Sequence, residues 1–222
     1  MKPVTNFKIC LIAMTVLFST SCEKSLTGSE PDLTITLKSV EEVQLISGGE
    51  NTTITVNKNN NESNFSIYFS NIDANNVIEN GTLEAWCIDW TKHIGSNNTT
   101  YQGIKLYSTD RVEKWEKVNY LLNIKDQLKN GDPNITWREF QVVIWSLRAN
   151  PEFDLDKIEV EDLPSSMLTN GQPNFSYDKV KEILLILENG YKEFVFSAGT
   201  KFAVIAATPA DVQTVFGVVE KK

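Results

Sequence analysis

Three cysteines and one histidine are the only thiols and imidazole in the 222 residues of this chain. Cys10 and Cys22 sit in or just behind an apolar N-terminal run, which leaves Cys87, in Ala85-Trp86-Cys87-Ile88-Asp89, as the thiol of the folded part. A lone thiol in an exported chain is buried and inert, disulfide-bonded to another molecule, a nucleophile, or joined covalently to some other group. Zinc held by clustered cysteines is excluded by the count, and with His93 as the single imidazole the common His-rich metal sites are excluded too, so no metal ligands are assigned. There is no Gly-rich phosphate loop, and no cofactor is implied. Cys87 with His93 as its base would make a cysteine hydrolase. Cysteine nucleophiles gain from a helix N-terminus or a nearby cation, however, and Cys87 lies in an apparent strand between Trp86 and Ile88. His93 itself falls in the polar stretch 91–100 and reads as a surface residue.

The second group of interest is a carboxamide. Gln141 lies in Phe140-Gln141-Val142-Val143-Ile144-Trp145, and Trp137, Gln141 and Trp145 recur at i, i+4 and i+8 on one helix face beside a stripe of Phe140, Ile144 and Leu147. Such a helix is apolar around most of its circumference and should be buried. A glutamine amide between two indoles then needs partners, because an unsatisfied buried polar group costs about 1 to 3 kcal/mol. Hydrogen bonds to backbone at a join of sheet and helix would serve. So would a covalent link to Cys87, which removes the amide NH2 and leaves an acyl carbon in an environment of Trp86, Trp137 and Trp145 that excludes water.

The two strings together resemble the thioester domain of bacterial surface adhesins. In that family an aromatic-Cys string on a strand is joined to a Thr-Gln-x-Ala-Ile-Trp string on a helix, the sulfur bonding the glutamine carbonyl carbon with loss of ammonia. Cys87, Gln141, Ile144 and Trp145 match residue by residue, while Phe140 stands in place of the Thr and Val143 in place of the Ala. The resemblance implies an internal Cys87–Gln141 thioester, formed without an enzyme, that a partner amine such as a lysine opens to give an amide. Glu84, Asp89 and His93 are candidate proton relays whose positions the sequence does not fix.

Elements must bring these residues together. Period-two alternation predicts a strand over 33–38, and further strands are expected over 43–46, 52–56, 65–70 and 82–89, separated by Gly48-Gly49, the 59–61 Asn run and Asn80-Gly81. Val112, Trp115, Val118 and Leu122 predict a helix over 109–123, with Ser108 or Asp110 as its cap. A second helix begins at Thr136, where Thr136 and Glu139 have capping-box spacing, and stops before Pro151. A third covers 177–187, ended by Gly190, and strands return at 193–197, 201–207 and 213–219. The fold class is therefore α+β: a β-sandwich or barrel-like antiparallel sheet with a helical insertion.

The N-terminus supplies an address. Lys2 and Lys8 precede an apolar run from Ile9 to Phe18, then Ser19, Thr20, Ser21 and Cys22, the order of a secretory signal and too short to span a bilayer. Ser-Thr-Ser-Cys resembles a bacterial lipobox, with Ser19 where Leu is usual. That resemblance implies a signal peptide over 1–21, a lipidated Cys22 carrying acyl chains such as palmitate, a flexible tether over 22–32, and one domain over 33–222. The expected location is lipid-anchored at a bacterial membrane, on the outer membrane or cell surface. Net charge is −8, becoming −10 once Lys2 and Lys8 are set aside, and an acidic surface without a basic cluster argues against nucleic-acid partners. The acidic stretch 154–162 lacks the Gly and oxygen spacing of a calcium loop. Three functions follow: covalent adhesion through the thioester, non-covalent protein or glycan binding on the same fold, with Trp90, Trp115 and Tyr101 as candidate sugar platforms, and a cysteine hydrolase.

Overall fold

The computed structural model describes residues 43–59 and 61–222. The signal peptide, Cys22, the tether and the strand over 33–38 lie outside the described residues.

Five strands come first: β1 (Gln44–Leu45), β2 (Thr52–Lys58), β3 (Phe65–Ser70), β4 (Gly81–Cys87) and β5 (Asn97–Ser108). In β3 the alternation sends Phe65, Ile67 and Phe69 inward, and the antiparallel register sets Phe65 opposite Ala85 and Ile67 opposite Leu83 on β4. β5 runs through what the sequence suggests is a polar loop. Its first half, Asn-Asn-Thr-Thr, has no apolar alternation and is held by backbone pairing with β2. Gly103, at φ +70°, then lets the strand bend, and residues 105–108 pair with β8 and, at Tyr107 and Ser108, also with β1.

Three helices follow. A 3-10 turn at Glu113–Trp115 leads into α1 (Glu116–Gly131), so this helix starts later and ends later than its apolar spacing predicts. Neither Ser108 nor Asp110 caps it: Ser108 Oγ accepts from the Asp110 N–H, and Thr109 Oγ1 donates to Ala203 O on the sheet, 2.7 Å away. α2 (Trp137–Arg148) has the expected capping box, with Thr136 Oγ1 accepting from Arg138 N at 3.2 Å and Glu139 Oε2 from Thr136 N at 2.8 Å. The other oxygen of Glu139 accepts from Ser176 N, fixing the start of the next helix against α2. A two-residue hairpin, β6 (Leu168–Thr169) and β7 (Gln172–Pro173), turns through Asn170-Gly171, both at positive φ, before α3 (Tyr177–Gly190).

The expected strand over 193–197 is absent. Those residues form a 3-10 turn at Tyr191–Glu193 and an irregular stretch in which Phe194 stacks on Tyr120 of α1 at 5.1 Å, so their aromatic content reports helix packing rather than sheet. The chain ends with β8 (Lys201–Ala207) and β9 (Val215–Glu220). The strand order β5-β2-β3-β4-β9-β8 closes because β8 also pairs with β5, giving a six-stranded antiparallel barrel with β1 added beside β5. The α+β class holds, and of the two sheet forms expected the barrel is the one formed.

The helices pack on the outer face of β4, β9 and β8. Trp86 meets Phe140 of α2 edge-on at 6.4 Å, and Trp115 meets Phe216 of β9 edge-on at 5.5 Å. Lys125 of α1, almost fully buried, pairs with Glu84 at 3.0 Å, and Glu84 accepts from the Trp86 indole at 2.9 Å. Those contacts set α2 over the C-terminal end of β4, where Cys87 lies.

Candidate functional site

Hydrogen-bond direction alternates along a strand, and this creates the site. The Ile88 N–H points toward β9, donating to Thr214 O at 2.9 Å, so the N–H and C=O of Cys87 point the other way, toward β3. There β3 has no residue to offer: its ladder with β4 starts at the Phe65–Ala85 pair, and the chain before Phe65 turns aside. The Gln141 carboxamide occupies the missing rung. Its Oε1 accepts from Cys87 N at 3.1 Å and its Nε2 donates to Cys87 O at 2.8 Å, as a further strand residue would. A reversed amide would set NH2 against N–H and oxygen against oxygen, so the network fixes its orientation.

This docking brings the two groups singled out by the sequence into contact. Cys87 Sγ lies 3.3 Å from Gln141 Oε1, and both residues are fully buried. A third residue, invisible to periodicity or motif, completes the cluster. Asn64, just ahead of β3 and itself buried, donates through Nδ2 to Cys87 Sγ at 3.1 Å and to Gln141 Oε1 at 3.2 Å. Its only sequence signal is a polar residue immediately preceding an apolar strand.

The tryptophans divide. Trp145, one turn beyond Gln141, is buried and stacks on Phe153 at 5.7 Å, and Phe153 in turn meets Trp90 edge-on at 5.4 Å. Trp137, one turn before Gln141, is buried with Arg138 over its ring at 4.7 Å. Trp86 corrects the expectation of a common aromatic wall. As the neighbour of Cys87 on a strand it points to the opposite face, where it supports α2 through Phe140 and does not face the sulfur. Phe140 and Val143 are both buried in α2, with the Phe140 ring seated against Trp86.

Burial pushes the Cys87 thiol well above its ordinary pKa, and the Asp89 carboxyl adds to the rise. The Asn64 hydrogen bond opposes it, as does the Trp145 indole N–H, which meets no acceptor at hydrogen-bond geometry. The sulfur is therefore a thiol at neutral pH, shielded from solvent. Asp89 is also buried; its Oδ2 accepts from Thr214 N at 2.7 Å, while Oδ1 has no partner. Desolvation raises its pKa, with the Thr214 N–H and Lys92 pulling the other way.

A carboxyl whose pKa is higher folded than unfolded binds its proton more tightly in the native state. It therefore subtracts stability as pH climbs through 3.8 toward the folded value, and the loss persists above it. Asp89→Asn keeps an acceptor for Thr214 and removes the charge. Its stability relative to wild type should rise with pH and then level off, in urea titrations between about pH 3 and 7. A flat difference would show that Asp89 is not held above its ordinary pKa.

Next to the site a cleft of about 870 Å³ reaches the surface, its lining including Asn64, Trp137, Arg138, Lys58, Lys92 and His93. His93 is exposed there, and the polar side chains that hydrogen-bond the Cys87 sulfur are Asn64 and Gln141. Glu84 is committed to Lys125 and Trp86. Trp90 donates to Pro151 O at 2.8 Å, the Tyr101 hydroxyl accepts from Gly95 N at 2.7 Å, and Trp115 is core. Among the described residues no group of three or more His, Cys, Asp or Glu could hold a metal ion, and no helix is long and apolar enough to cross a membrane. In the 154–162 stretch, Asp154 pairs with Lys157 at 2.6 Å and Asp156 with Lys181 at 2.5 Å.

No family model matches the chain, and no curated protein matches it. Among solved structures it is similar to the N-terminal thioester domain of a surface protein from Clostridium perfringens. Identity is 12% and the TM-score 0.42, over 77% of this chain and 99% of that one.

Proposed function

We propose that this chain is an adhesin-like surface lipoprotein that attaches covalently to an amine on a partner through a Cys87–Gln141 thioester. One observation carries the reading: a buried thiol and a buried carboxamide, far apart in sequence, meet with Sγ 3.3 Å from Oε1, and the carboxamide is locked in place by the backbone of the cysteine itself. Docked reactants need little further ordering to react. In the proposed use, an amine nitrogen reaching through the cleft attacks the Gln141 acyl carbon, the carbon–sulfur bond breaks, and the nitrogen gives up a proton to leave an amide and a free thiol. A lysine side chain has the reach and the nucleophile for this. The lipid on Cys22, implied by the lipobox-like run, would hold the domain at the membrane surface.

A second reading has its own support: Gln141 already satisfies its oxygen and nitrogen through hydrogen bonds without any covalent link, as a purely structural carboxamide would. The chain would then bind a protein or glycan non-covalently.

Intact mass separates the two. The thioester form is expected one ammonia lighter than its sequence, to gain methylamine on incubation with it, and to lose both properties in Cys87→Ala and in Gln141→Ala. Because burial shields the thiol, alkylation must be done after denaturation: a full-mass chain whose Cys87 alkylates only once unfolded would remove the covalent reading.

A further inference from the structure

We propose that Asn64 is a catalytic residue of thioester formation, its Nδ2 group and the Cys87 backbone N–H forming a two-donor oxyanion hole around Gln141 Oε1. The inference rests on the thioester reading above and deepens it.

The geometry is specific to the reacting atoms. Gln141 Oε1 receives Cys87 N at 3.1 Å and Asn64 Nδ2 at 3.2 Å, while the same Nδ2 lies 3.1 Å from Cys87 Sγ. The Asn64 amide thus touches both the attacking atom and the oxygen on which charge develops. Opposite it, Cys87 O accepts from the leaving nitrogen, Gln141 Nε2, at 2.8 Å. Each end of the carboxamide is held by a group suited to its part in the reaction.

The step balances without an outside reagent. Sγ bonds to the Gln141 carbonyl carbon, and the carbonyl π pair moves onto Oε1, where the two N–H donors meet the new negative charge. The carbonyl re-forms, the carbon–Nε2 bond breaks, and the thiol proton passes to Nε2, which leaves as ammonia. Because burial keeps Cys87 a thiol, sulfur becomes anionic only as it reacts, and the Asn64 contact to sulfur favours that moment as well. Donors at 3.1 and 3.2 Å from a neutral carbonyl are slightly long, and they tighten as charge builds on the oxygen. Aminolysis by an incoming amine passes through a tetrahedral state at the same carbon with the same oxyanion, so the same two donors serve it. Asn64 also lines the cleft, which puts one of the two donors on the wall an amine would pass.

A buried asparagine with only a packing role would alter stability and leave rates in the folded chain untouched. The test therefore reads rates. Full-length wild type, Asn64→Ala and Asn64→Asp are produced fresh in denaturant, or any bond already formed is opened with ammonia to restore the Gln141 carboxamide, and ammonia loss is followed by intact mass as each chain folds, with circular dichroism confirming the fold. Loss of one oxyanion donor is expected to slow ammonia loss in folded Asn64→Ala by about 100- to 1,000-fold, and methylamine opening of whatever bond forms by a similar factor. Asn64→Asp, close in shape, presents an acceptor when ionised and a donor when protonated, so its rate should be low at neutral pH and recover toward acid. Wild-type rates in Asn64→Ala would overturn the proposal while leaving the thioester reading intact; should that variant not fold, a wild-type, pH-flat rate in Asn64→Asp would overturn it equally. A wild-type chain of full mass would sink the thioester reading itself.

Discussion

Opening the proposed Cys87–Gln141 thioester with methylamine is expected to lower the unfolding free energy by about 4 kcal/mol, far more than loss of a single hydrogen bond would. The bond closes a loop between residues separated by 54 positions, and a cross-link of that span removes roughly 4 kcal/mol of conformational freedom from the unfolded chain. The proposed bond would also tie two layers of the fold, the end of β4 and the middle of α2, in place of the Nε2–Cys87 O hydrogen bond that is lost with the ammonia. For a domain of this size the loss corresponds to a fall in Tm of about 10 °C. Thermal melts of the same sample before and after methylamine, with mass spectrometry verifying complete opening, measure it. The added methyl group must fit beside the buried Asn64 and Cys87, so overpacking acts in the same direction as the lost cross-link. An unchanged Tm in a fully opened chain would mean that the unfolded chain is no freer without the bond, and the loop-closure argument would fail.

Much of this site is legible in the sequence, for reasons that differ from residue to residue. Gln141 and Trp145 are readable because a helix repeats every 3.6 residues and Thr136 with Glu139 announces where it starts. Cys87 is readable by elimination, being the one thiol left to the folded part. Trp86 shows where a string of letters misleads: adjacency in sequence is opposition in space on a strand, and the ring that sits beside Cys87 in the motif backs α2 instead. β5 escapes because its first half is held by backbone hydrogen bonds to β2, which leave no trace in side-chain type. The 193–197 stretch errs in the opposite direction, since its phenylalanines are apolar for the sake of Tyr120 and each other. Asn64 is the most informative omission. It matters because β3 starts two residues too late to pair with Cys87, and only the sheet register reveals that gap.

Trp145→Ala should both destabilise the fold and shorten the life of the proposed thioester. Trp145 is almost fully buried, next to Gln141 by one helical turn, and it anchors a line of rings running through Phe153 to Trp90, which is pinned in turn by its hydrogen bond to Pro151 O at 2.8 Å. Truncating a buried indole typically costs about 3 to 5 kcal/mol, because the ring's neighbours close over the void only in part. Here the void opens beside the sulfur. The Cys87 sulfur, to which the Asn64 amide is hydrogen-bonded, gives a water there polar partners, and water at the Gln141 acyl carbon is the competitor of the proposed amine. Hydrolysis leaves a carboxylate at position 141 where the carboxamide was, a mass distinct both from the thioester and from a chain that never reacted. The accumulation of that species at mildly alkaline pH, together with urea unfolding, separates the two effects. Trp145→Phe, which keeps an aromatic ring over the site, should retain most of the lifetime at a smaller cost in stability. If Trp145→Ala unfolded more easily yet kept its thioester as long as wild type, the indole would be a packing residue only, and exclusion of water would have to come from the rest of the packing that buries Cys87 and Gln141.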